Sequence, residues 1–242
     1  MDAQALEARV RDELALFGIE CNDGQARKLV KHLLLVIEKN KVVNLTRITD
    51  PLEAVTLHVV DSLLPLACPG VTMDSSTRFM DIGTGAGFPG IPLGIMTGAH
   101  GLLVDSVNKK VLAVGEFVTK LGLTALHALH ARVEDYASEH PRSQDCVFAR
   151  AVAQSNVIIE YAAPILKHEG VLVLEKARPT EEELEHAIKA AEICGLIPVS
   201  RETFELPHEL GHREILIYMK KGKPSISLPR KAGEAKRFPL GE

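Results

Sequence analysis

The chemistry-bearing residues of this chain gather around one run, Phe79-Met-Asp-Ile-Gly-Thr-Gly-Ala-Gly-Phe-Pro-Gly-Ile-Pro92. Phe79, Met80 and Ile82 are strand material, with Asp81 set among them. Gly83, Gly85 and Gly87 then break the strand, where positive φ and bare backbone let a ligand approach closely. Pro89 stands where a helix would begin, a place whose N–H groups lack helical partners anyway. A glycine turn feeding a helix start forms a binding edge for a nucleotide-like ligand, although many glycine-rich turns are only turns. The next extended run, Gly101 to Ser106, supplies the second half of the pattern, since Asp105 lies 22 residues beyond Gly83. A carboxylate there, at the carboxyl end of a second strand, can accept hydrogen bonds from two ribose hydroxyls. Its plainer role is to cap the following helix, which Ser106 or Asn108 could do equally well. The ribose role is favoured, and an adenosine-type cofactor is expected.

The elements that must position these residues can be read from periodicity. Residues 2–17 and 23–40 read as helices; Leu29, Val30, Leu33, Leu34 and Ile37 share one face of the second, with Asp23 as its N-cap. Asp50-Pro51 opens a third helix with Leu52, Val55, Val59, Leu63 and Leu66 in phase. His58 and Asp61 lie three apart on it and can be neighbours, as a surface pair or as a polar patch facing the cleft. Pro69 to Thr77 reads as a link. Strands and helices then alternate: strand 77–83, helix 89–98; strand 101–106, helix 108–121; strand 125–131, helix 133–138; strand 144–149, helix 155–168; strand 170–176, helix 180–194. Two last extended runs, 196–205 and 213–220, have too little chain between them for a crossover helix and so predict an antiparallel hairpin. The expected fold is α/β, a Rossmann-like, mostly parallel seven-stranded sheet with a C-terminal antiparallel hairpin plus an N-terminal helical attachment. The expected division is a helical region over 1–70, a core over 71–222 and a basic tail over 223–242.

Composition narrows the setting. The 242 residues are 46% hydrophobic, enough for a substantial interior. Cys21, Cys68, Cys146 and Cys194 show no paired metal-ligand spacing, so no metal is expected and the thiols read as buried in a reducing compartment. The start carries Asp2 and Glu7 with no apolar secretory core, and the longest aliphatic run nearby, Leu33 to Ile37, is far too short to cross a bilayer, so a soluble cytoplasmic protein with no membrane partner is expected; a monomer is expected as well. Net charge is −4, yet Lys220 to Glu242 carries seven Lys or Arg against two Glu. A basic tail on an acidic body suits a localised polyanion contact, or equally a solvated tail.

The core ending in a hairpin, together with Asp81-Ile-Gly83-Thr-Gly85, is similar to class I S-adenosylmethionine methyltransferases, whose first motif reads acid-x-Gly-x-Gly. An NAD-dependent oxidoreductase using the same glycine-rich loop is the alternative; a P-loop fails because no Gly-Lys-Ser/Thr follows. The resemblance narrows further. Asn44-Leu-Thr46, His58-Val-Val-Asp-Ser-Leu63, Asp81 to Pro92, Asp105-Ser-Val-Asn-Lys-Lys110, Arg150-Ala-Val152 and Leu228-Pro-Arg-Lys-Ala-Gly233 occur in this order. Together they resemble the RsmG (GidB) family of bacterial 16S ribosomal RNA methyltransferases, from about residue 22 to the C-terminus. Ala113 departs from the family, many of whose members carry Phe there.

The resemblance implies methyl transfer from S-adenosylmethionine to N7 of a guanine in the decoding-region loop of the small subunit, with 16S ribosomal RNA or that subunit as partner. N7 carries a free lone pair and no proton, so no general base is required. Exocyclic adenine methylation usually brings an Asn/Asp-Pro-Pro-aromatic motif, but Phe148-Ala-Arg-Ala-Val152 stands at that place. Cytosine C5 chemistry needs a nucleophilic Cys, and Cys146 lies inside an apolar strand. The expected cofactor residues are Gly83, Gly85, Phe88, Asp105, Ser106, Val133, Glu134 and Arg150. Arg150 suits the cofactor carboxylate or an RNA phosphate, with a salt bridge to Asp145 or Glu134 as its plainer role. Through the family match His58 and Asp61 are expected to face the cleft; with Arg150 they are the catalytic candidates. Lys176, Arg213, Arg230 and Lys231 are the expected RNA contacts.

Overall fold

Alternating side chains sort each apolar run after Thr77 onto two faces of a sheet. The computed structural model describes residues 2–242. Its seven strands are β1 (Arg78–Ile82), β2 (His100–Asp105), β3 (Leu126–His130), β4 (Gln144–Arg150), β5 (Leu166–Lys176), β6 (Leu196–Leu206) and β7 (Gly211–Lys220). They run in the order β3-β2-β1-β4-β5-β7-β6. The first five are parallel, and β7 enters antiparallel between β5 and β6, as the hairpin reading requires. The strand order reverses between β1 and β4, β1 to β3 being laid down one way and β4 and β5 the other, and the crevice at the carboxyl ends of β1 and β4 is where such sheets bind ligands.

Helices α1 (Ala3–Ala15) and α2 (Asp23–Asn40) pack on one face with α4 (Gly90–Thr97) and α5 (Asn108–Leu121). Phe79, Leu103, Phe148 and Val173 point into that layer beside Leu29 and Leu33, so the N-terminal helices and the sheet share one core. Met80, Val104, Val147 and Leu172 face the other side, against α6 (Val133–Glu139), α7 (Ser155–Ala162) and α8 (Glu181–Cys194). Phe79, Phe117 and Phe148 are fully buried, each worth roughly 2–3 kcal/mol of removed apolar surface.

Three local readings change. Asn22, not Asp23, caps α2: its side chain accepts from Gln25 N at 2.9 Å while the Gln25 side chain accepts from Asn22 N, a reciprocal box. The helix expected over 155–168 ends at Ala162. Leu166 already pairs with Gln144, and the register then shifts before Val171 aligns with Cys146. The third helix begins as expected, with Asp50 accepting from Leu52 N and Glu53 N ahead of Pro51. After α3 (Pro51–Ala54) it widens into a π-helical stretch over Val55–Val60 and tightens to 3₁₀ over Asp61–Ala67. Such widening is frequent at functional sites, and this stretch carries His58 and leads into Asp61.

The basic tail folds back on the body. A short helix, α9 (Glu234–Arg237), rests on α7, with Ala235 buried.

Candidate active site

The glycine loop is tied to the end of β2. Gly83 N and Thr84 N donate to Val104 O at 2.8 and 3.0 Å, and Gly85 N donates to Asp105 Oδ2 at 3.1 Å. Gly83 has φ +70°, and a Cβ there would lie 2.7 Å from Val152 Cγ2, so only glycine lets the loop and the segment after β4 come this close. Gly90, at the start of α4, donates to Asp81 Oδ2 at 2.9 Å, and a Cβ on it would lie 2.8 Å from that oxygen. Asp81 is fully buried and its other oxygen has no partner. Burial pushes its carboxyl up to about 6, against the opposing influence of the nearby Thr84 hydroxyl and the Gly90 hydrogen bond.

A cavity of about 320 Å³ opens beside this loop at the carboxyl ends of β1 and β2. Ile82, Val104, Val133 and Val152 give it apolar sides suited to a purine, and Gly83 presents bare backbone. Asp105 and Ser106 stand at one side and Glu134 at another. Asp105 Oδ1 accepts from Val107 N at 2.9 Å, so the carboxylate both organises the start of α5 and retains lone pairs for ribose hydroxyls. None of Asp105, Ser106 and Asn108 caps α5: its N-cap is Val107, and no side chain caps the helix. The cavity residues fit an adenosine moiety: paired acceptors for vicinal hydroxyls, apolar walls and a backbone cradle.

Gly83, Asp105, Ser106, Val133 and Glu134 thus meet in one cavity. Phe88 and Arg150 stand outside its wall, in a polar cluster beneath the π-helical stretch. Phe88 is buried between His58 (centroids 4.8 Å apart, planes at 16°) and His32 (4.5 Å, 43°), with Arg150 Cζ 5.5 Å from its ring. Arg150 Nη1 donates to Asp61 Oδ2 at 3.2 Å and Leu57 O at 3.3 Å, so its carboxylate partner is Asp61, not Asp145 or Glu134. Asp61 Oδ1 accepts from Arg213 Nε at 2.8 Å.

His58 Nε2 pairs with Thr46 Oγ1 at 2.8 Å. Asn40 Oδ1 holds that loop by accepting from Leu45 N and Thr46 N, which gives the Asn44-Leu-Thr46 run its place. Burial pushes His58 down to about 3, helped by the Arg150 charge, so the ring is neutral. His32, unremarked in the sequence, is fully buried, donates to Ala86 O at 3.0 Å and is likewise held at about 3 by burial. Glu175, beside Arg150 in the sheet register, is buried with both oxygens unpartnered, and burial raises its carboxyl well above the ordinary range.

The four cations expected to meet RNA are placed unequally. Lys176 Nζ lies 2.7 Å from Glu183 and donates to Ala153 O, and Arg213 is held by Asp61. Arg230 makes a two-pronged contact with buried Glu160 (2.7 and 2.5 Å), so it pins the tail and its guanidinium is committed within the fold. Lys231 is exposed, with no carboxylate partner among the described residues. No cluster of metal ligands occurs among the described residues, and no described helix is long and apolar enough to cross a membrane.

The NAD-dependent alternative finds no support: the antiparallel β7 between β5 and β6 departs from the all-parallel dinucleotide arrangement. A solved S-adenosylmethionine-dependent methyltransferase from Aquifex aeolicus superposes with a TM-score of 0.52 at 18% identity, covering 71% of this chain and 94% of that one. Ribosomal RNA small subunit methyltransferase G of Lactobacillus acidophilus is 35% identical, with 94% of this chain and 96% of the relative covered. The Desulfitobacterium hafniense protein of the same description is 38% identical, with 92% of each covered. The family model described as rRNA small subunit methyltransferase G matches residues 25–214. The chain belongs to the GidB family of S-adenosylmethionine-dependent small-subunit ribosomal RNA methyltransferases.

Proposed function

We propose that the protein transfers a methyl group from S-adenosylmethionine to N7 of a guanine in the decoding-region loop of 16S ribosomal RNA. When bound, the cofactor supplies an electrophilic methyl on a sulfonium. The adenosine would be held by Asp105, Ser106, Val133 and Glu134 and by the backbone at Gly83. The observation that carries the N7 assignment is the state of the side chains beside the loop. His58 is held neutral far below its ordinary range, and Asp61 is engaged by two arginines. Asp81 and Glu175 lie fully enclosed beneath them. This is a poor setting for removing a proton and a good one for fixing position, which is what a lone pair attacking in line requires. Orientation of well-placed reactants can supply about 7–11 kcal/mol of barrier lowering.

Arg150 and Arg213 each keep unengaged N–H groups after binding Asp61, and these suit the cofactor carboxylate or an RNA phosphate. Lys231 and Arg237 on the tail, with Lys110 and Arg132 at the cavity mouth, form a basic rim for the RNA backbone. The protein is read as a monomer acting in the cytoplasm on ribosomal RNA. The test is to map N7-methylguanine in 16S ribosomal RNA from cells with and without the protein, and to repeat the transfer with purified subunit and labelled cofactor. A single guanine-N7 position in the decoding loop that depends on the protein is expected. A methyl group at another atom, or an unchanged map, would overturn the reading.

A further inference from the structure

We propose that the C-terminal strap, Leu228 to Arg237, is a wall of the nucleoside cavity, set in place by the Arg230–Glu160 pair, with Lys236 a binding residue for the adenosine. This rests on the cofactor reading above. Gly233 and Lys236 line the same cavity as Gly83, Asp105 and Glu134. Gly233 N donates to Glu134 Oε1 at 2.9 Å, so the side chain expected at the adenine edge is already oriented by the strap. Gly233 has φ +86°, the conformation that turns the strap into α9.

Two anchors hold this geometry from α7. Glu160, 3% exposed, takes both prongs of Arg230, and the next residue, Tyr161, lines the cavity. Arg230 Nη2 also donates to Phe238 O at 2.8 Å, so one guanidinium fastens the strap on both sides of the residues that face the cavity. Asn156 Nδ2 donates to Leu240 O at 2.9 Å beyond it, and Ala235 packs into the core with Val133 and Tyr161. Lys236 has no carboxylate partner among the described residues, so its ammonium is available to acceptor atoms of a nucleoside in the cavity. A tail serving only to hold RNA would need none of these contacts with the cofactor wall. A planar fork matched to a carboxylate is not replaced by lysine.

Calorimetric titration with S-adenosylhomocysteine tests this on the full chain. Lys236→Ala, on an exposed side chain, should weaken binding about fivefold with the melting temperature unchanged. Arg230→Lys, which keeps the charge and loses the fork, should weaken binding about tenfold, equivalent to about 1.4 kcal/mol. Amide hydrogen exchange should slow across residues 228–237 of the unaltered protein when the ligand is added. Unchanged affinity in both variants, or exchange in the strap that ignores the ligand, would overturn the strap as a cavity wall. Absence of binding by the unaltered protein would overturn the cofactor reading itself.

Discussion

Asp61 and Arg150 meet 89 positions apart in sequence, carboxylate Oδ2 to guanidinium Nη1 at 3.2 Å, while the other carboxylate oxygen takes Arg213 at 2.8 Å. One acid from the π/3₁₀ junction therefore bridges β4 and β7 and fixes both arginines. The two keep side-chain exposures of only 15 and 17%.

Removing that bridge leaves two partly buried cations without their counter-charge. Breaking a buried ion pair from one side costs about 3–5 kcal/mol; the residual exposure places this case near the lower end. Asp61→Ala should lower unfolding free energy in urea by about 3 kcal/mol, and Asp61→Asn, which keeps an acceptor oxygen, by less. A loss below about 1 kcal/mol in the alanine variant would mean that the arginines are not held through Asp61.

Asp81 makes an opposite prediction about stability. Its folded carboxyl is raised from 3.8 to about 6 by burial, so its contribution is fully present below the unfolded value and is lost as pH rises through 6. Asp81→Asn removes that dependence. The stability of the variant relative to the unaltered protein should rise by about 2–3 kcal/mol between pH 4 and pH 8 in denaturant titrations. A difference that does not vary with pH would show that Asp81 titrates normally in the fold.

The glycine loop and Asp105 were legible in the chain because their pattern is local: a strand, a turn and an acid at a set spacing. The hairpin was legible because the connection was too short for anything else. The strap was not. Arg230 reads as a free cation until the fold brings it to Glu160, 70 positions away, and Gly233 meets Glu134 across 99. Nothing local marks His32 either, since a histidine on an apolar helix face becomes informative only when Ala86 O and Phe88 close over it. The π-helical stretch escaped because its apolar residues stay in phase with an ordinary helix.

The two buried histidines should govern acid sensitivity. Both are held at about 3, chiefly by burial, so the fold favours their neutral forms and loses stability as pH falls below 6.5 towards 3. Each contributes a slope of about 1.4 kcal/mol per pH unit in that window. His58→Gln, retaining a partner for Thr46, should flatten the dependence of unfolding free energy between pH 6 and pH 4 by about that amount. An unchanged slope would place the proton on His58 in the folded protein.

Neighbouring residues Arg230 and Lys231 should fail in different ways. Arg230 is spent on Glu160 and Phe238 O, whereas Lys231 projects to solvent from backbone held by the same strap. A lysine on RNA phosphate releases counterions, so its loss weakens binding and lessens the salt dependence together. Lys231→Ala should therefore leave the melting temperature and S-adenosylhomocysteine affinity unchanged. It should weaken binding to 16S ribosomal RNA and reduce the slope of log affinity against log salt by about 0.7–0.9. Weaker RNA binding with the slope intact would place Lys231 off the phosphates. Unchanged RNA binding would leave it a solubilising charge on a strap whose work is done by its neighbours.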